Sequence, residues 1–399
     1  MIRTLDAIRA APWTRSMRAA ALREIHSFLD RPGILSFALG LPAAELLPAE
    51  EIARAAARVA GSDPRALQYE RPPEALKRHV ASLMESRGAP CRPEEIVLTS
   101  GAQQAMDLLA RLLVGPGDAV LVEETTYEGI LQAVEPSRPE LLTVGSDPDA
   151  GMDVEAVAEI LEAGARPAFV YAIPEGHNPL GVSLDPGRRR RLVAAAREHG
   201  VPIVEDDAYG LLRYDDGAAP PLRSLDPDQV IFVGSLSKVI APSLRAGWIA
   251  APEPLAAILS RIKHGRDLDV ASFSHRVAAA WLDEGRLPGH LDRLRREYRA
   301  RRDAMARGIR EAFPAGTRFH VPEAGFFVWV ELPAGIDAAE ALQAAVHREG
   351  IAFVPGAACS VPAGGAAARC LRLSFAGTAP ALIEEGMARL GRLLGSLLP

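Results

Sequence analysis

Lys238 stands directly after the apolar run VIFVGS (230–235), in the sequence SLSK, and is one of three lysines among 45 basic side chains in 399 residues. A lysine amine can attack a carbonyl group once it is deprotonated, whereas a guanidinium keeps its proton. Codon bias explains the general replacement of lysine by arginine, but not a lysine kept at a strand end. Four further apolar runs also lead into polar groups: Ser100-Gly101, Glu123-Glu124, the segment PEGHNPLG (174–181) and Asp206-Asp207-Ala208-Tyr209. The amides of Gly101, Ala102 and Gln103 open a helical stretch and can cradle an anion there. In EDDAYG, strand alternation sets Glu205 and Asp207 on one side and Asp206 on the other.

The elements that must position these groups follow from periodicity. EIVLTS (95–100), AVLVEE (119–124), AFVYAI (168–173), PIVEDD (202–207) and VIFVGS (230–235) read as buried strands. Stretches 102–113, 154–164 and 186–200 read as helices between them. Strand and helix in alternation predict an α/β fold, an open and mainly parallel sheet covered on both faces. Ligands on such sheets sit beyond the carboxyl ends of the strands, where the polar groups collect. Residues 253–311 read as helical, with Trp281, Leu282, Leu294 and Tyr298 facing a core. GFFVWVELP (325–333), LRLSF (371–375) and a helix over 380–397 suggest a second, smaller α+β unit, with AGGAAA (363–368) as a loop. Lys77 falls on a charged helix and is expected at the surface; Lys263 follows another helix and could lie near the site, with a surface role as the favoured expectation.

Composition removes several classes. A net charge of −6 argues against a non-specific nucleic-acid binder, and no apolar run reaches the length of a membrane span. Cys91, Cys359 and Cys370 are widely spaced and without a CxxC pair, which predicts neither a disulfide framework nor a metal site and fits the cytoplasm. Residues 1–29 are Arg-rich, yet Met17, Ala21, Ile25 and Phe28 recur at helical spacing, so an amphipathic helix of the fold is expected there.

Taken in order, RPGILSFALGLPAAELLP (31–48), ALQY (66–69), TSGAQQAMDLL (99–109), HNPLG (177–181), EDDAYG (205–210), GSLSKVIAPSLRAGW (234–248), GFFVWVELP, FVPG (353–356) and LRLSF form a specific series. The chain resembles pyridoxal-phosphate-dependent aminotransferases of fold type I, class I/II, most closely the α-aminoadipate and kynurenine aminotransferase subgroup. The resemblance implies a large domain with a mainly parallel seven-stranded sheet (46–285), a smaller α+β domain (286–399) and an N-terminal helix and arm (1–45) lining the substrate pocket. It assigns Lys238 as the lysine that holds pyridoxal 5′-phosphate, and Asp206 as the partner of the ring nitrogen. Tyr209 and Asn178 would meet the 3′ oxygen, and Tyr127 would stack on the ring. Gly101, Ala102, Gln103, Ser235, Ser237 and Arg245 would hold the phosphate, with Tyr69 reaching it from the neighbouring subunit of a homodimer. Ala102 departs from the Ser or Thr usual in the family, so backbone donors, Gln103 or Ser100 must compensate. Arg372 would bind the substrate α-carboxylate, and Arg23, Gly40 and Leu41 would line the side-chain pocket. His177 and Gly210 also differ from the subgroup's usual residues.

The implied reaction is ping-pong transfer of an amino group from an L-amino acid to a 2-oxo acid, with 2-oxoglutarate and glutamate as one pair and pyridoxamine 5′-phosphate between the halves. Elimination, cyclisation or oxidation on the same scaffold would use the same residues. A ligand-sensing regulator is the remote alternative: about 14 residues precede the resemblance, and no basic helix-turn-helix segment is seen.

Overall fold

The computed structural model describes residues 11–15, 28, 33–62, 64–215, 217, 219–268, 271–361 and 365–398. Seven strands form its central sheet: β1 (Ile96–Ser100), β2 (Ala119–Glu123), β3 (Glu140–Val144), β4 (Val170–Ala172), β5 (Ile203–Asp207), β6 (Val230–Ser235) and β7 (Ala246–Ala250). Their spatial order is β1-β7-β6-β5-β4-β2-β3, and β7 alone runs antiparallel to both of its neighbours. The five strands expected from apolar runs are present. Two more complete the seven that the resemblance implies, although their segments were not read as strands. β3 is a half-exposed edge strand that carries Glu140 and Thr143, and β7 is a five-residue strand containing Gly247. β3 lacks the apolar run that marks a buried parallel strand, and the short AGWIA run of β7 is rich in small residues of low strand preference.

Helices α1 (Ala49–Ser62), α2 (Glu74–Ser86), α3 (Ala102–Leu113), α4 (Glu128–Val134), α5 (Val154–Glu162), α6 (Pro186–Glu198) and α7 (Glu253–Asp267) surround this sheet. One face packs on apolar residues of α3, α4 and α7, another on those of α5 and α6. The expected helical run 253–311 is three helices, α7, α8 (Ser272–Leu282) and α9 (Leu287–Ala312), because Leu268 and Gly285 take positive φ between them. Trp281, Leu282, Leu294 and Tyr298 are buried as their apolar spacing required.

A second, antiparallel sheet holds β8 (Arg318–Phe319), β9 (Phe327–Glu331), β10 (Val354–Pro355) and β11 (Cys370–Ser374) in the order β8-β9-β11-β10. The short helix α10 (Ala338–Ala344) and the C-terminal α11 (Pro380–Ser396) accompany it, and α11 packs along α9. Gly365–Arg369 forms a short 3-10 helix where a loop was expected. The helix expected within residues 1–29 lies outside the described residues apart from Phe28, which is buried. Among the described residues no helix is long and apolar enough to cross a membrane.

Register explains why the polar groups meet. Ala246 of β7 pairs with Ser100 of β1, Gly247 pairs with Ser235 of β6, and Gly234 of β6 pairs with Asp207 of β5. The ends of three parallel strands and the start of the antiparallel one therefore share one edge of the sheet.

Candidate active site

The anion end of this edge begins at Gly101, which caps α3 with φ 80°. A side chain there would be strained by that φ and would also strike the Arg245 guanidinium, so both backbone and packing demand glycine. Arg245 itself is left-handed, at φ 49°, and its Nη2 donates to the Ser100 carbonyl at 2.7 Å. The fully buried His275 holds that strained residue from behind, with Nε2 3.2 Å from the Arg245 carbonyl. Ser235 Oγ accepts from the Ser237 amide at 3.1 Å, while the buried Ser237 hydroxyl has no protein partner. The first amides of α3, an exposed arginine and an unpaired hydroxyl thus converge where an anion is favoured.

The missing hydroxyl at Ala102 is not replaced by the Gln103 side chain. Its Nε2 donates to the Gly129 carbonyl at 2.8 Å. Gln104, which the sequence reading passed over, accepts from the Ser100 amide at 2.8 Å and donates to Asp267 at 2.8 Å. Asp267 in turn binds Lys263 Nζ at 2.9 and 3.0 Å. The surface expectation for Lys263 is therefore corrected: it is 4% exposed, because it neutralises the carboxylate that anchors this cradle. Lys77 is also less solvated than expected, half-buried and 3.5 Å from Glu74.

Lys238 is half-buried and its Nζ donates to the Gly40 carbonyl at 2.8 Å. Burial lowers its ammonium to about 8, Arg372 and Arg245 push the same way, and Asp206 opposes them. A Cβ on Gly40 would strike the Phe327 ring, so only glycine lets this carbonyl approach the amine. Two residues before it, the Ala38 carbonyl accepts from Arg372 Nη2 at 2.8 Å. Leu41 follows and is 54% exposed. Arg372 also donates from Nη1 to Asn178 Oδ1 at 2.9 Å, lies 4.4 Å over the Phe327 ring, and keeps its buried Nε unpaired.

Asp206 is 5% exposed, with Oδ2 accepting from the Tyr171 hydroxyl at 2.7 Å and Oδ1 left without a partner. Burial raises its carboxyl to about 6, with Asp207 adding to the rise and Tyr171, His177 and Lys238 opposing it. Tyr127 precedes α4 and lies in the fields of Asp206, Arg372 and Arg245. Tyr209 is buried edge-on to Phe326 and Phe327, at 5.3 and 6.2 Å between ring centroids. Burial drives its phenol upward, so it stays protonated. His177 accepts from the Leu180 amide at Nδ1 and sets Nε2 2.9 Å from Glu123, both side chains being 2% exposed.

The other two acids turn away from this cleft. Glu205 accepts from the Leu222 and Arg223 amides at 2.7 and 2.9 Å, and burial raises it to about 7. Asp207 meets Arg87 at 2.5 Å and accepts from the Gly210 amide at 2.7 Å. The departure at Gly210 has a steric cause, since a Cβ there would collide with the Arg87 guanidinium. Breaking a buried pair by removing one partner strands a charge, so Arg87→Leu should cost about 3–5 kcal/mol. Urea unfolding measures this; a loss below about 1 kcal/mol would show the pair to be dispensable, as exposed pairs are.

Tyr69 is 79% exposed and lies on the turn after Leu67, with the Gln68 carbonyl accepting from Ser272 at 3.5 Å. Arg23 lies outside the described residues. The sequence reading did not single out Tyr171, Gln104, His275 or Arg87 for the site. Tyr171 alone carried a signal, a hydroxyl within the apolar run AFVYAI that had to find a partner once buried.

The orphaned Asp206 Oδ1 and Ser237 Oγ, at the carboxyl ends of the neighbouring strands β5 and β6 beside an amine of lowered pKa, fit a phosphorylated pyridine aldehyde. Comparison with known proteins agrees. A family model described as Aminotransferase class I and II matches residues 34–390. A 2-aminoadipate transaminase of Thermus thermophilus is 39% identical over 96% of this chain and 95% of its own. An aromatic-amino-acid aminotransferase of Thermococcus litoralis is 36% identical, covering 95% of this chain and 92% of its own. Among solved structures, a kynurenine aminotransferase of Pyrococcus horikoshii in complex with PMP aligns with a TM-score of 0.93 at 32% identity, covering 100% of both chains.

Proposed function

The chain belongs to the class I and II aminotransferases, and from that membership we propose how its own residues divide the work. It is a pyridoxal-phosphate-dependent enzyme that moves an amino group between an amino acid and a 2-oxo acid. When bound, the cofactor supplies an aldehyde that takes up the amino group and a ring that draws electrons from the substrate's Cα–H bond.

Lys238 is the proton carrier at substrate Cα. Its support is the lowered amine pKa, which gives a usable fraction of free base at neutral pH. Asp206 Oδ1 holds a proton at the ring nitrogen, and Tyr209 with Asn178 faces the 3′ oxygen. Tyr127 covers the ring. The α3 amides of Gly101, Ala102 and Gln103, with Ser235, Ser237 and Arg245, grip the phosphate. Arg372 holds the substrate carboxylate through Nε and its remaining N–H groups.

One pH dependence follows. The rate at which the cofactor-free protein captures pyridoxal phosphate should rise with pH and level off above about 8, because only the unprotonated Lys238 amine attacks the aldehyde. Absorbance after rapid mixing measures it, and a rate that is flat from about pH 6 to 9 would speak against a titrating amine.

The donor range is proposed to include 2-aminoadipate and bulky apolar or aromatic amino acids, with 2-oxoglutarate as acceptor. The relatives' activities and the exposed Leu41 beside Gly40 support this. Glutamate formed from 2-oxoglutarate across a donor panel tests it; turnover of short polar donors only would overturn it. The second subunit of a homodimer is proposed to bring Tyr69 to the phosphate, supported by the exposure of Leu67, Tyr69 and Arg245. A fully active monomer in sedimentation would exclude that. Cys91, Cys359 and Cys370 form no disulfide, in keeping with a cytoplasmic location.

A further inference from the structure

We infer that Tyr171 is a positioning residue for the cofactor's ring nitrogen: its hydroxyl fixes Asp206 through Oδ2, so that Oδ1 alone is aimed at the ring. This rests on the proposed role of Asp206. Tyr171 of β4 pairs with Val204 of β5, so it lies on the same face as Asp206, one pleat before it. That offset lets the long phenol reach forward and place its hydroxyl 2.7 Å from Oδ2. Among the described residues it is the only hydrogen-bond partner of the Asp206 side chain. Tyr171 is 1% exposed and packs within the apolar face made by α3 and α4, so water does not replace it.

The groups facing Asp206 are few. Asp207 disfavours its charge, while His177 and Lys238 favour it. Tyr127 and Tyr209 lie in its field from the cleft side. His177 sets Nε2 2.9 Å from Glu123 and uses Nδ1 to accept from the Leu180 amide. Tyr171 remains as the donor that sets the carboxylate's rotation. Burial, reinforced by Asp206, keeps that phenol protonated and hence always a donor.

The test is equilibrium binding of pyridoxal phosphate to the cofactor-free full chain, compared with its analogue carrying C–H in place of the ring nitrogen. The wild type should prefer pyridoxal phosphate. In Tyr171→Phe, which keeps the ring and its packing, that preference should fall roughly 10- to 100-fold, the size of one charge-assisted hydrogen bond. In Asp206→Asn, adding Tyr171→Phe should change the preference no further. If Tyr171→Phe weakens both ligands equally, or neither, the positioning role is wrong. If the wild type does not discriminate between them, the Asp206 assignment falls first and the inference with it. A thermal unfolding midpoint close to wild type keeps a folding defect from imitating either result.

Discussion

Lys238→Ala should abolish transamination, with kcat/KM reduced by at least about 10⁴-fold, while the protein stays folded. The side chain gives up one bond, Nζ to the Gly40 carbonyl, and a single hydrogen bond is worth only about 1 kcal/mol of stability. What it removes cannot be supplied from elsewhere in the chain. Lys263 is buried against Asp267 and Lys77 is tied to Glu74, each 4% exposed or half-buried in its own place. The phosphate cradle remains intact, so the variant should still bind pyridoxal phosphate reversibly. Borohydride treatment followed by mass measurement separates the two modes of holding: wild type keeps the cofactor's mass and the variant loses it on denaturation. Lys238→Arg should behave like the alanine variant, because a guanidinium does not release its proton. A variant that retained covalent cofactor would remove Lys238 from its role.

That lysine was legible because chemistry forbids its replacement in a chain where arginine serves for most other cations. The same holds for the strand ends, since a buried parallel strand announces itself as an apolar run and its carboxyl end follows from direction alone. Support of the site was far less legible. Gln104 and Arg87 act through partners more than 100 residues distant, Asp267 and Asp207, and His275 acts through Arg245. His275 is the exception in distance, 30 residues from Arg245, yet it still depends on how α8 docks against β7. The docking of helices on one another and on the sheet creates these meetings, and a sequence does not print how its helices dock. Lys263 was misjudged for a related reason: a charged residue on a helix reads as solvated until its i+4 carboxylate is found anchoring a buried amide. Gly210 was noted only as a difference from relatives; its meaning, room for Arg87, required both chains of contact at once.

Arg372→Leu should reduce kcat/KM by about 10²- to 10⁴-fold for amino and 2-oxo acid substrates alike, as expected from losing two hydrogen bonds to a charged group at about 1.5–3 kcal/mol each. The loss should appear on both half-reactions because both substrates present the same carboxylate. It should also exceed the effect on any side-chain contact, since the guanidinium is already oriented before substrate arrives. Asn178 Oδ1 and the Ala38 carbonyl hold one N–H each, and the Phe327 face lies 4.4 Å beneath. Only Nε and the outer N–H groups are left to meet a carboxylate, a fork fixed in advance at little entropic cost. Lys at this position would keep the charge but not the fork, so Arg372→Lys should recover only part of the loss. Because the charge of Arg372 also lowers the Lys238 ammonium, Arg372→Leu should move the plateau of cofactor capture to higher pH while Arg372→Lys, which keeps the charge, should leave it nearly in place, an effect independent of substrate binding. Half-reaction rates followed by absorbance measure the first effect and the capture profile the second. Substrate affinity unchanged in Arg372→Leu would mean that the carboxylate is held by another group.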